Sequence, residues 1–200
     1  MGTRDQNRAE REALIIQATS AAIAEMGFSA VRVTDIAERA GMTAGHISYY
    51  FPVKSELLML AIRATEAELI DEAATSIAGM TDSWQRLERL IELSVAREVH
   101  DPGWALWLEI WAESLDHPEI AAIHHELDGR WRELLSEVLE AGMADGAFRR
   151  SPVADAAMLI STSLDGLSTQ LTVGTPGFSP AELRRLATAL CSALLAPGTG

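Results

Sequence analysis

Residues 33–54, VTDIAERAGMTAGHISYYFPVK, are the stretch that decides the fold. Two short helical patterns meet there at a tight turn, and two adjacent tyrosines follow before a break. Thr34 can cap the first helix, and Asp35 lies in its first turn, where the helix dipole favours negative charge. Gly41 permits the left-handed backbone that ends a helix at a corner. The stretch therefore predicts two helices joined at one glycine.

The second helix has its own start signals. Thr43 is a candidate N-cap, while Met42 and Ile47 occupy the two positions of a hydrophobic staple. Ala37, Gly41 and Ile47 have the spacing of a helix-turn-helix, with a small residue, a corner and a packing residue. Such a unit presents its second helix to the major groove of DNA. The alternative is an ordinary αα-hairpin within a helical domain.

The composition is that of a folded chain without a membrane span. Of its 200 residues, 48% are hydrophobic. No apolar run approaches the ~18 residues that cross a bilayer, and the opening MGTRDQNRAERE lacks a secretory core. We therefore expect a cytoplasmic protein with no membrane partner. The single cysteine, Cys191, predicts a buried structural thiol and no zinc site, and nothing in the sequence calls for a metal or another cofactor.

The net charge of −13 is unevenly distributed. Residues 1–63 contain seven basic and seven acidic residues, whereas the rest of the chain contains nine basic and 22 acidic ones. Because salt screens phosphate attraction over a Debye length of ~8 Å, only local charge matters. A neutral head can therefore bind DNA while an acidic body points away.

Hydrophobic periodicity predicts an all-α protein of about nine helices, with no strand pattern and no internal repeat. The first helix stops at Gly27, and the hairpin supplies the second and third. A long fourth helix opens after Pro52, with Ser55 as its cap, and ends near Gly79. The five helices that follow begin near residues 82, 104, 118, 152 and 180.

Three segments within about residues 11–62 carry a resemblance to a known family. They are MGFSAVRVTDIAERAG, MTAGHISYYF and FPVKSELL. Together they resemble the DNA-binding head of the TetR family of bacterial transcriptional regulators, and the helix number and order beyond them agree. The resemblance implies a repressor that binds a palindromic double-stranded DNA operator as an Ω-shaped homodimer and is released by a small organic effector. It implies a helix-turn-helix domain at residues 1–54 and an effector-binding and dimerisation domain at residues 55–200.

The recognition segment also departs from the family pattern. Many members carry a tyrosine where this chain has Ser48, so a phenol contact to phosphate is lost or shortened to a hydroxyl. The HISYYF variant is similar to a branch that includes choline-and-betaine regulators. A recognition helix contacts DNA, however, so this similarity does not identify the effector.

The candidate DNA contacts begin at the N-termini of the two hairpin helices. Thr34 and Thr43 offer a hydroxyl and free backbone N–H groups to a phosphate oxygen, and capping alone is the alternative. Ala44, Gly45 and His46 form the first turn of the recognition helix and are best placed for base edges.

The remaining contacts follow along that helix. Gly45 costs up to ~1 kcal/mol relative to alanine, which favours a close backbone approach to DNA over a merely tolerated glycine. We expect Ser48 and Tyr49 to contact phosphates, and Tyr50 and Phe51 to anchor the core of the head.

Basic residues flank the hairpin on both sides. Lys54 is the only lysine and begins the fourth helix, where the family uses a lysine against phosphate. A solvated surface lysine is the alternative. Arg4, Arg8 and Arg11 are expected to form an N-terminal arm that follows phosphates or enters the minor groove.

Aromatic residues dominate the sixth helix. Trp104, Leu108, Trp111 and Leu115 share one stripe, with Trp107 at its margin. Buried indole N–H groups need partners, so three tryptophans predict a cavity for a flat or apolar organic molecule; core packing is the alternative.

The seventh helix supplies two further candidate effector contacts, whereas two glutamates of the sixth helix are not expected to contact the effector. Trp131 and His124 are further candidate effector contacts, although His124 also fits a satisfied, half-buried histidine. Glu109 and Glu113 fall roughly 140–180° from the tryptophan stripe, so we expect them to face water and to offer nothing to a cationic effector.

The last two helices are expected to form the dimer interface. Each carries an apolar ridge, and two such helices per subunit form an isologous four-helix bundle. The ridges consist of Ile160, Leu164, Leu167 and Leu171, and of Leu183, Leu186, Leu190 and Leu194. The alternative is that both ridges only complete the core of the chain.

Two other classes of function compete with a DNA-binding regulator. An enzyme is disfavoured, because no nucleophile constellation, paired-carboxylate motif, phosphate loop or metal quartet appears. A small-molecule sensor that acts mainly through a protein partner remains open.

Overall fold

Nine α-helices account for the fold of the residues that the structure describes, and there is no strand among them. The structure is a computed structural model, which describes the backbone of residues 3–197 and the side chains of residues 5–197. The helices are α1 (Thr3–Met26), α2 (Val33–Ala40), α3 (Ala44–Tyr50), α4 (Lys54–Ala78), α5 (Ser83–Ser94), α6 (Pro102–Ser114), α7 (Pro118–Ala144), α8 (Val153–Thr172) and α9 (Pro180–Leu195). The predicted all-α architecture is confirmed. Over the same residues, no helix is both long enough and apolar enough to cross a membrane.

Most helices begin where the sequence signals place them. Ser179 caps α9, with its Oγ accepting the backbone N–H of Glu182 at 3.2 Å. Asp82 caps α5 in the same way, accepting a backbone N–H at 2.9 Å. Two helices begin earlier than predicted: α4 begins at Lys54, one residue before the predicted cap Ser55, and α6 begins at Pro102, two residues before the predicted start at Trp104.

Contacts within the chain divide it into two compact units. The first comprises Met1–Glu68 and Leu106–Leu127, and the second comprises Leu69–Ala105 and Asp128–Gly200. The division falls inside α4, α6 and α7, so each of these helices supplies residues to both units. The head therefore forms a unit together with the end of α6 and the beginning of α7. A functional boundary at residue 54 stays a prediction.

The first unit has its own hydrophobic core. Ile15 of α1, Ile36 of α2, Ile47 of α3, Leu57 of α4 and Ile110 of α6 are all at most 1% exposed within it. Burial of each such side chain contributes ~1.5–3 kcal/mol relative to leaving it in water. This core fixes α3 against the helices around it and leaves the opposite side of α3 outside.

The second unit has a separate core, built from the rest of α4 and α7 together with α5, α8 and α9. Leu139 and Leu183 are fully buried there, and Trp84 packs edge-to-face on Phe148 with ring centroids 4.8 Å apart. Cys191 is buried in the same core, and burial raises the pKa of its thiol to about 11. The predicted structural thiol is confirmed.

Four of the eight residues predicted for the dimer interface belong to this core instead. They are Ile160, Leu164, Leu171 and Leu183. Their side chains are at most 5% exposed within a single chain, so they offer no surface to a partner. The remaining four are half-buried, and their interface role stays a prediction; they are Leu167, Leu186, Leu190 and Leu194.

Candidate nucleic-acid interface

The corner between α2 and α3 has the geometry that its sequence predicts. Gly41 adopts φ of 64°, in the left-handed region. The backbone N–H of Met42 donates to the carbonyl of Ala37 at 2.9 Å, and that of Gly41 donates to the carbonyl of Glu38 at 3.2 Å. This pair of bonds closes the end of α2 as a Schellman motif. The predicted glycine corner is confirmed.

The beginning of α2 differs from the prediction. Its N-cap is Arg32, whose backbone N–H donates to Oδ2 of Asp35 at 2.9 Å. That hydrogen bond lowers the pKa of Asp35 from its usual value. Thr34 lies inside the first turn, so the prediction that it caps α2 is wrong, because Asp35 performs the reciprocal capping from within the helix. Thr34 is exposed, and a phosphate contact from it stays a prediction.

The start of α3 follows the sequence closely. Oγ1 of Thr43 accepts the backbone N–H of His46 at 3.2 Å, so the predicted N-cap is confirmed. Ile47 is fully buried, and Met42 packs against the same core, as the staple requires. The helix is therefore held at its start and on one face.

The other face of α3 is open to solvent. Four predicted contacts are exposed there: Gly45, His46, Ser48 and Tyr49. The side chain of Tyr49 is 72% exposed. Ala44 is half-buried. This face presents an imidazole, a hydroxyl and a phenol, which are groups that bind base edges and phosphate oxygens.

The end of the hairpin is anchored by its aromatic residues. Tyr50 and Phe51 pack against the core of the first unit, as predicted. The ring of Tyr50 meets that of Tyr49 edge-on, with centroids 5.3 Å apart. Lys54 follows as the first residue of α4 and is half-buried. Contact between its ammonium group and a phosphate of DNA stays a prediction.

From Thr3 onward the N-terminal part of the chain is helical. Arg8 and Arg11 lie within α1, and their predicted contact with phosphates or the minor groove stays a prediction. The guanidinium of Arg8 lies 5.7 Å from the ring centroid of Tyr50 and pairs with Glu12 at 2.7 Å. The side chain of Arg4 lies outside the described residues. This part of α1 therefore brings the exposed guanidinium of Arg8 beside Tyr50 of α3.

The five predicted effector contacts fall in both units. Trp107, Trp111 and His124 belong to the first, and Trp104 and Trp131 to the second. In the first unit, the ring of His124 lies 5.7 Å from that of Trp107 and 6.1 Å from that of Trp111. In the second, Nε1 of Trp104 donates to a carbonyl at the end of α5 at 3.2 Å. All five are half-buried, and their effector role stays a prediction.

Two expectations about α6 are wrong. The helix ends at Ser114, and Leu115, expected on the apolar stripe, is 86% exposed just beyond it. Glu109 does not simply face water. Its Oε2 accepts hydrogen bonds from the backbone N–H of Ser29 at 2.9 Å and from the Ser29 hydroxyl at 3.1 Å. Helical periodicity gives a direction around one helix and cannot show which distant turn lies in that direction.

A cleft of about 450 Å³ lies between α5 and α9 in the second unit. Its apolar lining includes Trp84, Ile91 and Cys191, and none of the five predicted effector residues lines it. The lining also includes two acidic and two basic side chains, namely Glu88, Glu92, Arg97 and Arg184. The sequence did not reveal this cleft, because each wall by itself is an ordinary amphipathic helix face.

A partly buried carboxyl group was also missed. Burial, together with the nearby Asp128 of α7, raises the pKa of Asp165 on α8 to about 6, while Arg132 acts in the opposite direction. Arg132 itself donates to the carboxylate of Asp128. Two carboxyl groups thus lie within the electrostatic influence of one guanidinium. Asp165 stands among small and apolar residues in the second half of α8, and this isolated acid is the sequence signal that could have revealed the site.

Comparison with known proteins covers both parts of the chain. A model of bacterial regulatory proteins of the tetR family matches residues 15–60, and a model of the C-terminal part of BetI-type transcriptional repressors matches residues 84–196. The HTH-type transcriptional regulator BetI 2 of Chromohalobacter salexigens is 32% identical over 183 residues, with 88% of this chain and 84% of the relative covered. The BetI regulator of Cronobacter sakazakii is 28% identical, over 89% of this chain and 87% of its own.

A solved structure gives the same relationship. A transcriptional regulator from Saccharomonospora viridis, crystallised in complex with choline, superposes with a TM-score of 0.83 at 27% identity, covering 95% of this chain and all of its own. A TetR regulator from Haloarcula marismortui superposes with a TM-score of 0.78 at 21% identity, which shows the shared fold.

Proposed function

This chain belongs to the TetR family of bacterial transcriptional regulators and has a BetI-type C-terminal domain, and from this we propose how it works: as a homodimer that represses through α3 and releases its operator when a small organic cation binds. It is a transcriptional regulator and not an enzyme. The division of labour proposed here assigns DNA binding to residues 1–54 and effector binding with dimerisation to residues 55–200.

The exposed face of α3 is the observation that carries this proposal. His46, Ser48 and Tyr49 stand out from a helix whose opposite side, at Ile47, is fully buried. His46 is placed to donate to acceptors of guanine or adenine, while Tyr49 and Lys54 hold phosphates. Thr34, Thr43, Ala44 and Gly45 complete the set, with the glycine allowing the backbone to approach the groove.

The dimer surface is revised by the burial of the predicted ridge. The exposed large apolar side chains of α8 are Met158 and Leu159, at 47% and 52%, and Val173, which follows the end of α8, is 56% exposed. We assign the interface to these residues together with the half-buried leucines of α9. An isologous pair of this kind places two heads about one helical turn of DNA apart, which requires an inverted-repeat operator.

A cationic effector is supported by the second unit. The S. viridis relative was crystallised with choline, a quaternary ammonium compound. In this chain, Asp165 and Asp128 carry two carboxyl groups against one guanidinium. Trp131 follows Asp128 by three residues and therefore lies on the same side of α7. The face of an indole ring attracts a cation. We propose that this carboxylate and indole set binds the positive group of the effector.

The DNA half of the proposal is tested with the DNA upstream of the chain's own gene. A labelled duplex from that region is titrated with the full chain in a gel shift, against a shuffled duplex of equal length. Selective retardation supports an operator-binding regulator. No retardation, together with recovery of one protein in a pull-down with the chain as bait, would favour the alternative, a sensor that acts through a protein partner.

The effector half is tested by calorimetry with choline in the absence of DNA. Wild-type chain is expected to bind choline and Asp165→Asn to bind it at least tenfold more weakly, because the substitution removes the charge at the proposed site. Asp155→Asn removes an exposed charge from the same helix and should leave choline binding unchanged. Equal weakening by both variants would reject the assigned site.

A further inference from the structure

Glu109 connects α6 to the turn between α1 and α2. Its Oε2 accepts two hydrogen bonds from Ser29, from the backbone N–H at 2.9 Å and from the hydroxyl at 3.1 Å. A carboxylate that accepts two hydrogen bonds holds its partner more strongly than neutral groups do. Because one of the two donors is a backbone N–H, the carboxylate fixes the main chain at Ser29 and not only its side chain.

The turn is shaped to receive this carboxylate. Gly27 has φ of 83°, and a Cβ added there would lie 3.1 Å from Oε1 of Glu109. The backbone N–H of Gly27 also closes α1 by donating to the carbonyl of Ile23 at 2.8 Å. One carboxylate oxygen thus lies over the glycine while the other binds Ser29.

This turn determines where the DNA-binding hairpin begins. Phe28 and Val31, on either side of Ser29, are buried in the core of the first unit. Arg32, the next residue after Val31, is the N-cap of α2. Because α2 contacts both α1 and α3, a shift of this turn displaces α2 and α3 with it.

The other end of α6 belongs to the second unit. Its first residues, from Pro102 to Ala105, are assigned to that unit and the rest of the helix to the first. Glu109 follows Trp104 by five residues, about 7.5 Å along the helix axis. Because α6 is one continuous helix from Pro102 to Ser114, the same element carries residues of the second unit and the carboxylate that binds Ser29.

We propose that Glu109 is a positioning residue for operator binding: in the effector-free chain its carboxylate holds the Ser29 turn in the DNA-competent position, and effector binding acts on that hold through α6. This inference rests on the proposed function. The sequence pattern predicted that Glu109 faces water.

The first experiment measures the hold directly, without effector or DNA. Amide hydrogen exchange is followed in wild type, Glu109→Gln and Glu113→Gln. Glu113 lies one turn further on α6, where its carboxylate meets only His117, at 3.5 Å, among the ion pairs of the described residues. Exchange of the Ser29 amide and of the first turn of α2 should rise about tenfold in Glu109→Gln and remain at the wild-type rate in Glu113→Gln. Unchanged exchange in Glu109→Gln overturns the proposal.

The second experiment measures coupling. Operator affinity is determined by fluorescence anisotropy with and without saturating choline, and choline binding is measured separately by calorimetry. Glu109→Gln should weaken operator binding several-fold and reduce the effect of choline on it to within about twofold of none, while choline affinity stays within about threefold of wild type. A merely structural role would lower Tm and leave the choline effect intact, and that result overturns the proposal.

The two experiments separate failure of this inference from failure of the proposed function. If wild-type chain binds its operator but ignores choline, the proposed effector is wrong, and the exchange measurement decides on Glu109. If choline releases wild type, Glu109→Gln and Glu113→Gln to the same extent, the effector is correct and the role of Glu109 is rejected. If Ser29→Ala, which removes only the hydroxyl donor, produces part of the Glu109→Gln effect, the contact itself is supported.

Discussion

At the scale of single residues, the chemistry of the head divides between side chains that read bases and side chains that hold phosphate. Lys54→Ala should weaken binding to every duplex alike and reduce the salt slope by about one, since one phosphate contact is lost. His46→Ala should instead alter base preference, at a cost of about 1–3 kcal/mol on the preferred site only. Anisotropy titrations at several salt concentrations distinguish the two outcomes.

A charge-matched variant controls that measurement. Arg89→Ala removes one cation from α5 in the second unit, where its guanidinium pairs with Glu92 at the surface. Its operator affinity should equal that of wild type at every salt concentration. If Lys54→Ala behaves like Arg89→Ala, the lysine is a solvated surface residue and its assigned phosphate contact is wrong.

Asp165 predicts a pH-dependent stability difference. Its pKa of about 6 in the folded chain lies above the ~3.9 of an unfolded aspartate, so the folded chain binds the extra proton between these values. The penalty for ionising Asp165 is therefore absent below pH ~4, grows up to about pH 6 and is constant above that. Asp165→Asn should raise Tm by about 2–4 °C at pH 8 and leave it unchanged near pH 4.

The groups around Asp165 define the control. Asp128 and Arg132 of α7 are the charged neighbours, and both remain in the variant. Asp155→Asn, at an exposed position of α8, should give no gain in Tm at either pH. A gain from Asp165→Asn that is equally large at pH 4 and pH 8 would show that burial of the charge is not its cause.

At the scale of secondary-structure elements, α7 contains two glycines with opposite surroundings. A Cβ on Gly142 would lie 2.2 Å from the ring of Phe148, which is itself packed against Trp84. A Cβ on Gly129 would meet nothing within 4 Å. Gly142→Ala should therefore lower the free energy of unfolding by about 1–3 kcal/mol, whereas Gly129→Ala should raise it by up to about 1 kcal/mol. Urea denaturation of both variants checks the pair, and stabilisation by Gly142→Ala would contradict the packing at Phe148.

The elements also show how far sequence reasoning reaches. Helix type, helix order, the Gly41 corner and the Thr43 cap were predictable because each depends on residues within a few positions of one another. The Glu109–Ser29 contact and the α5–α9 cleft were not, because each joins segments about 80 to 100 residues apart. Burial of Ile160 and Leu183 likewise depended on which helices pack against them, which periodicity alone does not specify. The prediction that Thr34 caps α2 was wrong for a local reason, because Asp35 accepts the backbone N–H of the N-cap residue Arg32 instead.

At the scale of the whole molecule, the account requires two chains acting together. Light scattering on purified chain should give the mass of a dimer at micromolar concentration. Leu159→Arg places a charge on the exposed apolar face of α8 and should yield monomers that bind operator far more weakly, because two heads no longer act together. Leu115→Arg changes a more exposed leucine, at the end of α6, and should leave the dimer intact. A monomeric wild type would contradict the two-headed arrangement.

The central claim is that the exposed face of α3 reads a symmetric DNA sequence, and selection from a random pool tests it most directly. Full-length chain is used to enrich duplexes over several rounds, in parallel with His46→Ala, and the selected pools are sequenced. The account predicts that wild type enriches one inverted repeat, with half-sites about one helical turn apart, and that His46→Ala changes bases within the half-site while keeping the spacing. A wild-type pool with no shared sequence, or the same half-site selected by both proteins, would contradict it.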